Sequence, residues 1–243
     1  MELNILHLYP DCMSLYGEYA NVTVLRRLLE RAGVTVNVRP CALDDAPDFE
    51  SADFIYMGAG TERTQKAVMT ALNPHAHALK GALEGGAVAL FTGSAMEVLG
   101  ASVTDVSGKV WPGLGLADFA TVETDRRDPE DVIAHSPLLD EPVVGFMNKC
   151  SKTTGVAAPL FDGLTLGFGN EGEKGPEGYV DGNLLATHIT GPLLVKNPHA
   201  AHFVMAKLFD SKGWDKPESW PTLPYQRAAY EVTRKELSAR AGK

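Results

Sequence analysis

Residues 90–100 have the composition of a turn that carries a catalytic nucleophile. The apolar run 87–91 is typical of a buried strand, and the small residues Gly93, Ser94 and Ala95 permit a sharp turn into a helix. Such a turn directs backbone amides to one point, where they can stabilise an oxyanion. It contains no cysteine, so the one side chain at its tip able to attack a carbonyl is the hydroxyl of Ser94.

Two interpretations of Ser94 stay open. As a nucleophile it needs a well-placed base, because a hydroxyl ionises at a far higher pH than a thiol. As a structural residue it accepts hydrogen bonds at a helix N-terminus, which is the usual role of serine at such a turn.

Cys150 offers a second candidate nucleophile in another loop. No histidine is adjacent to it in the sequence, which favours a buried or incidental thiol. The glycine-rich segment 169–175 contains a lysine but not the order GxxxxGK[ST], so we do not expect a phosphate-binding loop there.

Strands that alternate with helices must position these residues. Apolar or β-branched runs at 3–8, 34–38, 54–57 and 87–91 predict strands, and helical periodicity predicts helices at 21–32 and 64–83, the second interrupted by Pro74. This order predicts an α/β fold with a mostly parallel sheet covered on both faces. Such a sheet places its site at the carboxyl ends of its strands, where the turns at 58–60 and 93–95 become neighbours.

The second half of the chain has shorter strands and more turns. Runs at 119–122, 143–146 and 184–189 predict antiparallel additions to the sheet. Residues 213–224 are rich in Pro and Trp and predict a linker, and 225–241 predict a charged amphipathic helix that packs back or binds a partner. We therefore expect one domain over 1–212, followed by a linker and C-terminal helix over 213–243.

Composition limits the function classes. A formal net charge of −9 argues against sequence-independent nucleic-acid binding. Three widely spaced cysteines without a CxxC pair suggest neither a disulfide framework nor a zinc site, and no metal site is predicted. The sequence has no signal-peptide pattern and no apolar run long enough to cross a bilayer, so we expect a cytoplasmic protein without a transmembrane segment.

Several motifs together resemble one family. They are HLYPD at 7–11, LYG at 15–17 with Asn21, GAGTERTQ at 58–65, the turn at 90–100, LGLADF at 114–119, GFMN at 145–148, GFGN at 167–170 and GPLLVKNP at 191–198. In this order and nearly this spacing they resemble the GatD-like class I glutamine amidotransferases of the CobB/CobQ (cobyric acid synthase) type. The family includes the small subunit of the MurT/GatD lipid II isoglutaminyl synthase, and the resemblance covers about residues 1–210.

The resemblance implies a flavodoxin-like, three-layer class I glutamine amidotransferase fold that hydrolyses glutamine. It further implies that ammonia passes to a MurT-like Mur ligase, which amidates D-glutamate of lipid II in peptidoglycan synthesis. ATP and Mg²⁺ are then expected on that ligase partner, and no cofactor is expected on this chain. Glutamine itself is an expected ligand if the pocket is intact.

The chain departs from the family where the chemistry takes place. The family turn reads Cys-Gly-Gly-Tyr-Gln-Leu-Leu-Gly, and alignment on its end places Gly93 at the cysteine. In the family's Thr-Tyr-Leu-His-Gly-Pro motif, Thr190 takes the histidine position and His188 lies two residues earlier. On a strand this offset is about 6–7 Å, which predicts that His188 is too far from Gly93 for the usual hydrogen bond between base and nucleophile. His188 then has either a structural role or a displaced catalytic one.

The substrate-binding part of the family pattern is better retained. The turn Gly58, Ala59 and Gly60 can still offer backbone amides to an oxyanion. Arg127 falls where the family carries an arginine associated with glutamine binding, although it can equally be a solvated residue on an acidic turn. Two functions follow: an amidotransferase subunit whose glutaminase activity is lost or unorthodox, or a non-catalytic pseudo-amidotransferase that binds and regulates a Mur-ligase-like partner.

Overall fold

The computed structural model of the chain describes residues 1–242. Its strands are β1 (Glu2–Leu8), β2 (Thr35–Cys41), β3 (Phe54–Met57), β4 (Val88–Thr92), β5 (Ser102–Thr104), β6 (Val110–Pro112), β7 (Ala120–His135), β8 (Val143–Thr154), β9 (Gly163–Leu166), β10 (Tyr179–Asp181) and β11 (Leu184–Thr187). Its α-helices are α1 (Ala20–Arg31), α2 (Glu62–Leu72), α3 (Ala76–Glu84), α4 (Ala95–Val98), α5 (Leu193–Lys196), α6 (Pro198–Lys212) and α7 (Gln226–Ala241).

A six-stranded sheet in the order β10-β11-β4-β3-β1-β2 forms the centre of the fold. Its strands pair in parallel except β10, which runs antiparallel to β11 at one edge. The α/β architecture with a mostly parallel sheet is therefore confirmed. The same order brings the carboxyl ends of β3, β4 and β11 side by side, where parallel α/β sheets place their sites.

Helices cover both faces of this sheet and make three layers. Alternate residues of β1 enter different cores: Leu3 and Ile5 pack with α1 and α6, whereas Leu6 and Leu8 pack with α2 and α3. β4 alternates in the same way and is buried along its whole length. A strand covered on both faces reads as a continuous apolar run, which is why the sequence predicted it.

Most strands after residue 100 form a second sheet, which is antiparallel except where β5 pairs with β7 in parallel. β6, β5, β7 and β8 lie in that order, and β9 pairs with β7. Of the runs predicted as antiparallel additions to the parallel sheet, 184–189 joins that sheet as β11 but pairs with β4 in parallel, and the other two belong to the second sheet. β7 and β8 pair along most of their length, with a register shift between Glu123 and Asp128, and an isolated bridge between Phe146 and Thr190 connects β8 to the segment that follows β11. The hairpin therefore reaches over the carboxyl ends of the parallel strands.

The C-terminal helix packs back onto the second sheet. Tyr230 and Leu237 of α7 are buried in a small core with Ile133 and Val144. Lys243, the predicted end of the segment that contains this helix, lies outside the described residues. Within residues 1–242, every helix is too short or too polar to cross a membrane.

Candidate functional site

A cavity of about 160 Å³ opens at the carboxyl ends of the central parallel strands, beneath the β7–β8 hairpin. Its volume lies below that of most drug-sized ligand pockets and suits a single small molecule. The sequence-predicted residues in its wall are Ala59, Gly60, Gly93, Ser94, Arg127, His188 and Thr190, together with Cys150. Gly58 is not part of this wall, and a Cβ added to it would lie 2.6 Å from the carbonyl oxygen of Met13 and 2.8 Å from the Cβ of Glu18. The structure thus brings together residues that are distant in the sequence.

Gly93 sits at the tip of the turn between β4 and α4, in the left-handed conformation with φ of +62°. A Cβ at this position would lie 2.5 Å from the Cβ of Ala59 and 3.0 Å from the methyl carbon of Thr190. Carbon atoms in van der Waals contact are about 3.5–4.0 Å apart. Ala59 therefore fills the space that the first side-chain atom of a nucleophile would need.

Ser94 follows the tip but directs its hydroxyl to the neighbouring turn. Its Oγ accepts a hydrogen bond of 3.0 Å from the amide of Gly60 and donates one of 3.0 Å to the carbonyl of the same residue. The expectation that this hydroxyl caps the following helix is wrong, since it makes no bond to an amide of α4. Because Ser94 occupies the Gly60 amide, that group is not free to stabilise an oxyanion as the sequence predicted.

His188 lies directly beside Gly93. β11 and β4 pair in parallel with Thr187 opposite Thr92, and the amide of Gly93 donates to the carbonyl of Thr187 at 2.8 Å. The next residues along the two strands, His188 and Gly93, are therefore neighbours. The motif alignment, which put Thr190 at the base position and His188 two residues earlier, stays a prediction: the methyl carbon of Thr190 lies 3.0 Å from the place of a Gly93 Cβ, and His188 lines the same cavity. Thr190 donates its hydroxyl to the carbonyl of Phe146 at 2.9 Å.

Two buried carboxylates flank the imidazole of His188. Glu177 accepts hydrogen bonds from the backbone amide of His188 at 2.7 Å and from its Nδ1 at 3.0 Å. On the other side, Oε1 of Glu97 lies 3.6 Å from Nε2 of His188. Burial opposes ionisation of Glu97, but His188, Ser151 and Gln65 outweigh it and lower the pKa of this carboxyl to about 2. Glu97 is therefore an anion inside the cavity wall.

Sequence reasoning missed both carboxylates. Glu97 carried a signal, because it replaces the glutamine of the family turn and brings a charge into an otherwise small and apolar segment. Glu177 carried none, since it lies in a glycine-rich loop and reaches His188 only through the pairing of β10 with β11.

Arg127 and Cys150 meet Glu62 at the mouth of the cavity. Arg127 forms an ion pair with Glu62, donates to the carbonyl of Asn148 at 3.2 Å and contacts Sγ of Cys150 at 3.4 Å. The predicted glutamine-binding arginine is thus at the cavity but already paired. The Cys150 thiol donates to Glu62 at 3.1 Å, and burial together with this carboxylate raises the pKa of the thiol to about 11. This favours the unreactive interpretation of Cys150.

Cys150 should alkylate slowly in the folded protein. A thiol of pKa about 11 has roughly 100-fold less thiolate at neutral pH than an ordinary thiol near 9, and only the thiolate reacts. Mass spectrometry of the Cys150 peptide after a timed pulse of iodoacetamide measures this rate, with urea-unfolded protein as the control. Equal rates in the two states would show that Glu62 and burial do not suppress the thiolate.

Two buried lysines complete the charges around the cavity. Lys66 forms an ion pair with Glu123, and both side chains are almost fully buried. Lys149 donates from Nζ to the carbonyl of Asn170 at 2.7 Å. Burial lowers the pKa of Lys149 to about 8, against the opposing effect of Glu177 and Glu97.

Comparison with known proteins identifies relatives that cover most of the chain. The family model described as a CobB/CobQ-like glutamine amidotransferase domain matches residues 4–198. The lipid II isoglutaminyl synthase (glutamine-hydrolyzing) subunit GatD of Staphylococcus aureus is 30% identical over 87% of this chain and 86% of its own. The subunit of the same name from Streptococcus pneumoniae is 28% identical over 87% of this chain and 82% of its own.

Solved structures share the fold. PurLQS from Thermotoga maritima superposes with a TM-score of 0.53 at 15% identity, over 87% of this chain and 97% of that one. A crystal structure of a glutamine amidotransferase superposes with a TM-score of 0.54 at 12% identity, over 84% and 98% of the two chains. The predicted class I glutamine amidotransferase fold is confirmed.

Proposed function

The chain belongs to the CobB/CobQ-like glutamine amidotransferase family, and on that premise we propose that it is the amidotransferase-type subunit of a lipid II isoglutaminyl synthase that no longer hydrolyses glutamine. In this proposal it binds a MurT-like Mur ligase. The ligase carries ATP and Mg²⁺, activates the D-glutamate carboxylate of lipid II and amidates it with ammonia from solution. The complex acts at the cytoplasmic side of cell-wall synthesis.

The observation that carries the proposal is the closed space at Gly93. A glutaminase of this type needs a thiolate, a base and oxyanion donors. His188, hydrogen-bonded to Glu177, is available in the cavity wall to act as a base, but the space for a side chain at 93 is taken by Ala59. In addition, the Gly60 amide is bonded to Ser94. Two of the three requirements, the thiolate and a free oxyanion donor at Gly60, are therefore not met.

The second candidate is a glutaminase that uses Ser94 or Cys150 in place of the missing cysteine. The contacts of both residues oppose it. Ser94 holds the backbone of Gly60 on both its amide and its carbonyl, and Cys150 is a protonated thiol bonded to Glu62. Neither forms a hydrogen bond to His188 in the described residues.

Assays of the chain with its ligase separate these candidates. We expect no glutamate release from glutamine, together with amidation of lipid II that depends on added ammonium and ATP. The variants Ser94→Ala and Cys150→Ala test the second candidate, because either one would abolish any glutamate release that the complex shows. Release that disappears in one of them would overturn the proposal, and so would amidation supported by glutamine alone.

A further inference from the structure

Both ring nitrogens of His188 face carboxylates. Nδ1 lies 3.0 Å from Oε1 of Glu177, and Nε2 lies 3.6 Å from Oε1 of Glu97, within ion-pair distance. The three side chains are almost fully buried, so bulk water does not screen these contacts. A neutral imidazole carries a proton on only one of its nitrogens. In either tautomer, a lone pair of the ring would therefore face a buried anion.

Glu97 is an anion rather than a carboxylic acid that donates to the ring. Gln65 donates to its Oε2 at 2.6 Å, and Ser151 donates to its Oε1, so both oxygens act as acceptors. Burial raises the pKa of Glu97, but the hydrogen bond and charge of His188, together with these two donors, outweigh burial and lower the pKa to about 2. The proton between Glu97 and His188 therefore belongs to the ring.

The buried charges around His188 balance when its ring is a cation. Glu97 of α4 and Glu177 of the loop before β10 face the ring, and Lys149 of β8 interacts electrostatically with both carboxylates. These three groups carry one net negative charge, which an imidazolium reduces to zero. Two further ion pairs around the cavity are neutral in themselves, Lys66 with Glu123 and Arg127 with Glu62. Because an uncompensated charge is unfavourable in a protein interior, this balance favours the protonated ring.

We propose that Glu97 and Glu177 hold His188 as an imidazolium and that Glu97 thereby removes the base from this cavity. A general base needs a lone pair that can take the proton of the nucleophile. In the imidazolium both ring nitrogens carry protons, and both protons are directed to carboxylates. Glu97 stands where the family turn has a glutamine, whose amide has no charge that would keep a second proton on the ring. Glu97 is therefore a positioning residue that acts through His188.

The inference deepens the proposed function and rests on it for its meaning, since it adds the loss of the base to the closed space at Gly93. His188 keeps its place in the cavity wall, but its two contacts leave the ring no lone pair. The two proposals can fail separately. A cationic His188 in a complex that releases glutamate would overturn the proposed function alone. A neutral His188 in a complex that releases none would overturn this inference alone.

The test follows the ring nitrogens of His188 by NMR in the full chain labelled with ¹⁵N-histidine, from pH 6 to pH 8. The ring signals are assigned through the backbone amide of the same residue. In the parent chain we expect both nitrogens to carry protons over this whole range. In Glu97→Gln we expect Nε2 to lose its proton, with the neutral ring at least about tenfold in excess at pH 8, as for an ordinary histidine.

The matched control is Glu84→Gln, which removes an exposed carboxylate of α3 by the same change and should leave both ring protons of His188 in place. An Nε2 without a proton at pH 7 in the parent chain would overturn the inference, and this result does not depend on whether either variant folds. A His188 that stays doubly protonated at pH 8 in folded Glu97→Gln would overturn it too, because another group would then keep the second proton on the ring.

Discussion

Replacement of Gly93 by cysteine is expected to lower the free energy of unfolding by about 2–5 kcal/mol without creating a glutaminase. The left-handed backbone of Gly93 accounts for about 1–2 kcal/mol. The collision of the new Cβ with Ala59 accounts for about 1–3 kcal/mol more. Urea unfolding measures the loss, and Gly93→Ala is the matched control, because it introduces the same Cβ without the thiol.

Adding Ala59→Gly to Gly93→Cys should recover the part of the stability loss that comes from the collision of the two Cβ atoms. Residues 59 and 93 contact each other directly, so the effects of the two substitutions on the free energy of unfolding should not add. The double variant should be more stable, by about 1–3 kcal/mol, than the sum of the two single effects predicts. Glutamate release should then appear in G93C/A59G, since the restored thiol faces the same cavity as His188, and stay at background in G93A/A59G. We expect a rate at least about tenfold above that control.

Ser94→Gly should raise the rate further when it is added to G93C/A59G. It frees the Gly60 amide for the oxyanion, and one such donor changes a rate by about 10²–10³-fold. If G93C alone is as stable as the parent chain and active, the space at 93 is open and the main support for a non-hydrolysing subunit is lost.

The elements of the parallel sheet could be predicted because each depends on its own sequence. The run 54–57 is β3 as predicted, and Pro74 separates α2 from α3 within the predicted helix 64–83. The strands after residue 100 were predicted less well. Their alternation is equally compatible with an extension of one sheet or with a second sheet, and only the long pairing of β7 with β8 decides between them.

The site was harder to predict because it depends on register. Motif alignment placed His188 two residues before the family's base position, and only the pairing of Thr187 with Thr92 shows that the His188 backbone runs next to Gly93. Likewise Ala59 looked like a tolerated replacement in an oxyanion turn, since only the packing of two loops shows its methyl against Gly93. Residues on one strand can be ordered from the sequence, but contacts between neighbouring strands require the fold.

Glu177→Ala is expected to lower the free energy of unfolding by about 3–5 kcal/mol. Glu177 is fully buried and accepts from the hydroxyl of Thr187 at 2.5 Å and from two groups of His188. Alanine leaves these donors buried without an acceptor, and the loss of one member of such a network has effects of this size. Urea unfolding measures the loss, and Glu171→Ala, an exposed acid of the same loop, should stay within about 0.5 kcal/mol.

Glu177→Gln separates the shape of this side chain from its charge. The amide oxygen can still accept from both His188 groups, and its nitrogen can donate to Thr187, so we expect a smaller loss of about 1–2 kcal/mol. The charge, however, is gone, and with it one of the two carboxylates that flank His188. Urea unfolding of Glu177→Gln beside Glu177→Ala measures how much of the loss comes from the charge. Equal losses in the two variants would show that an amide cannot replace the carboxylate in this network.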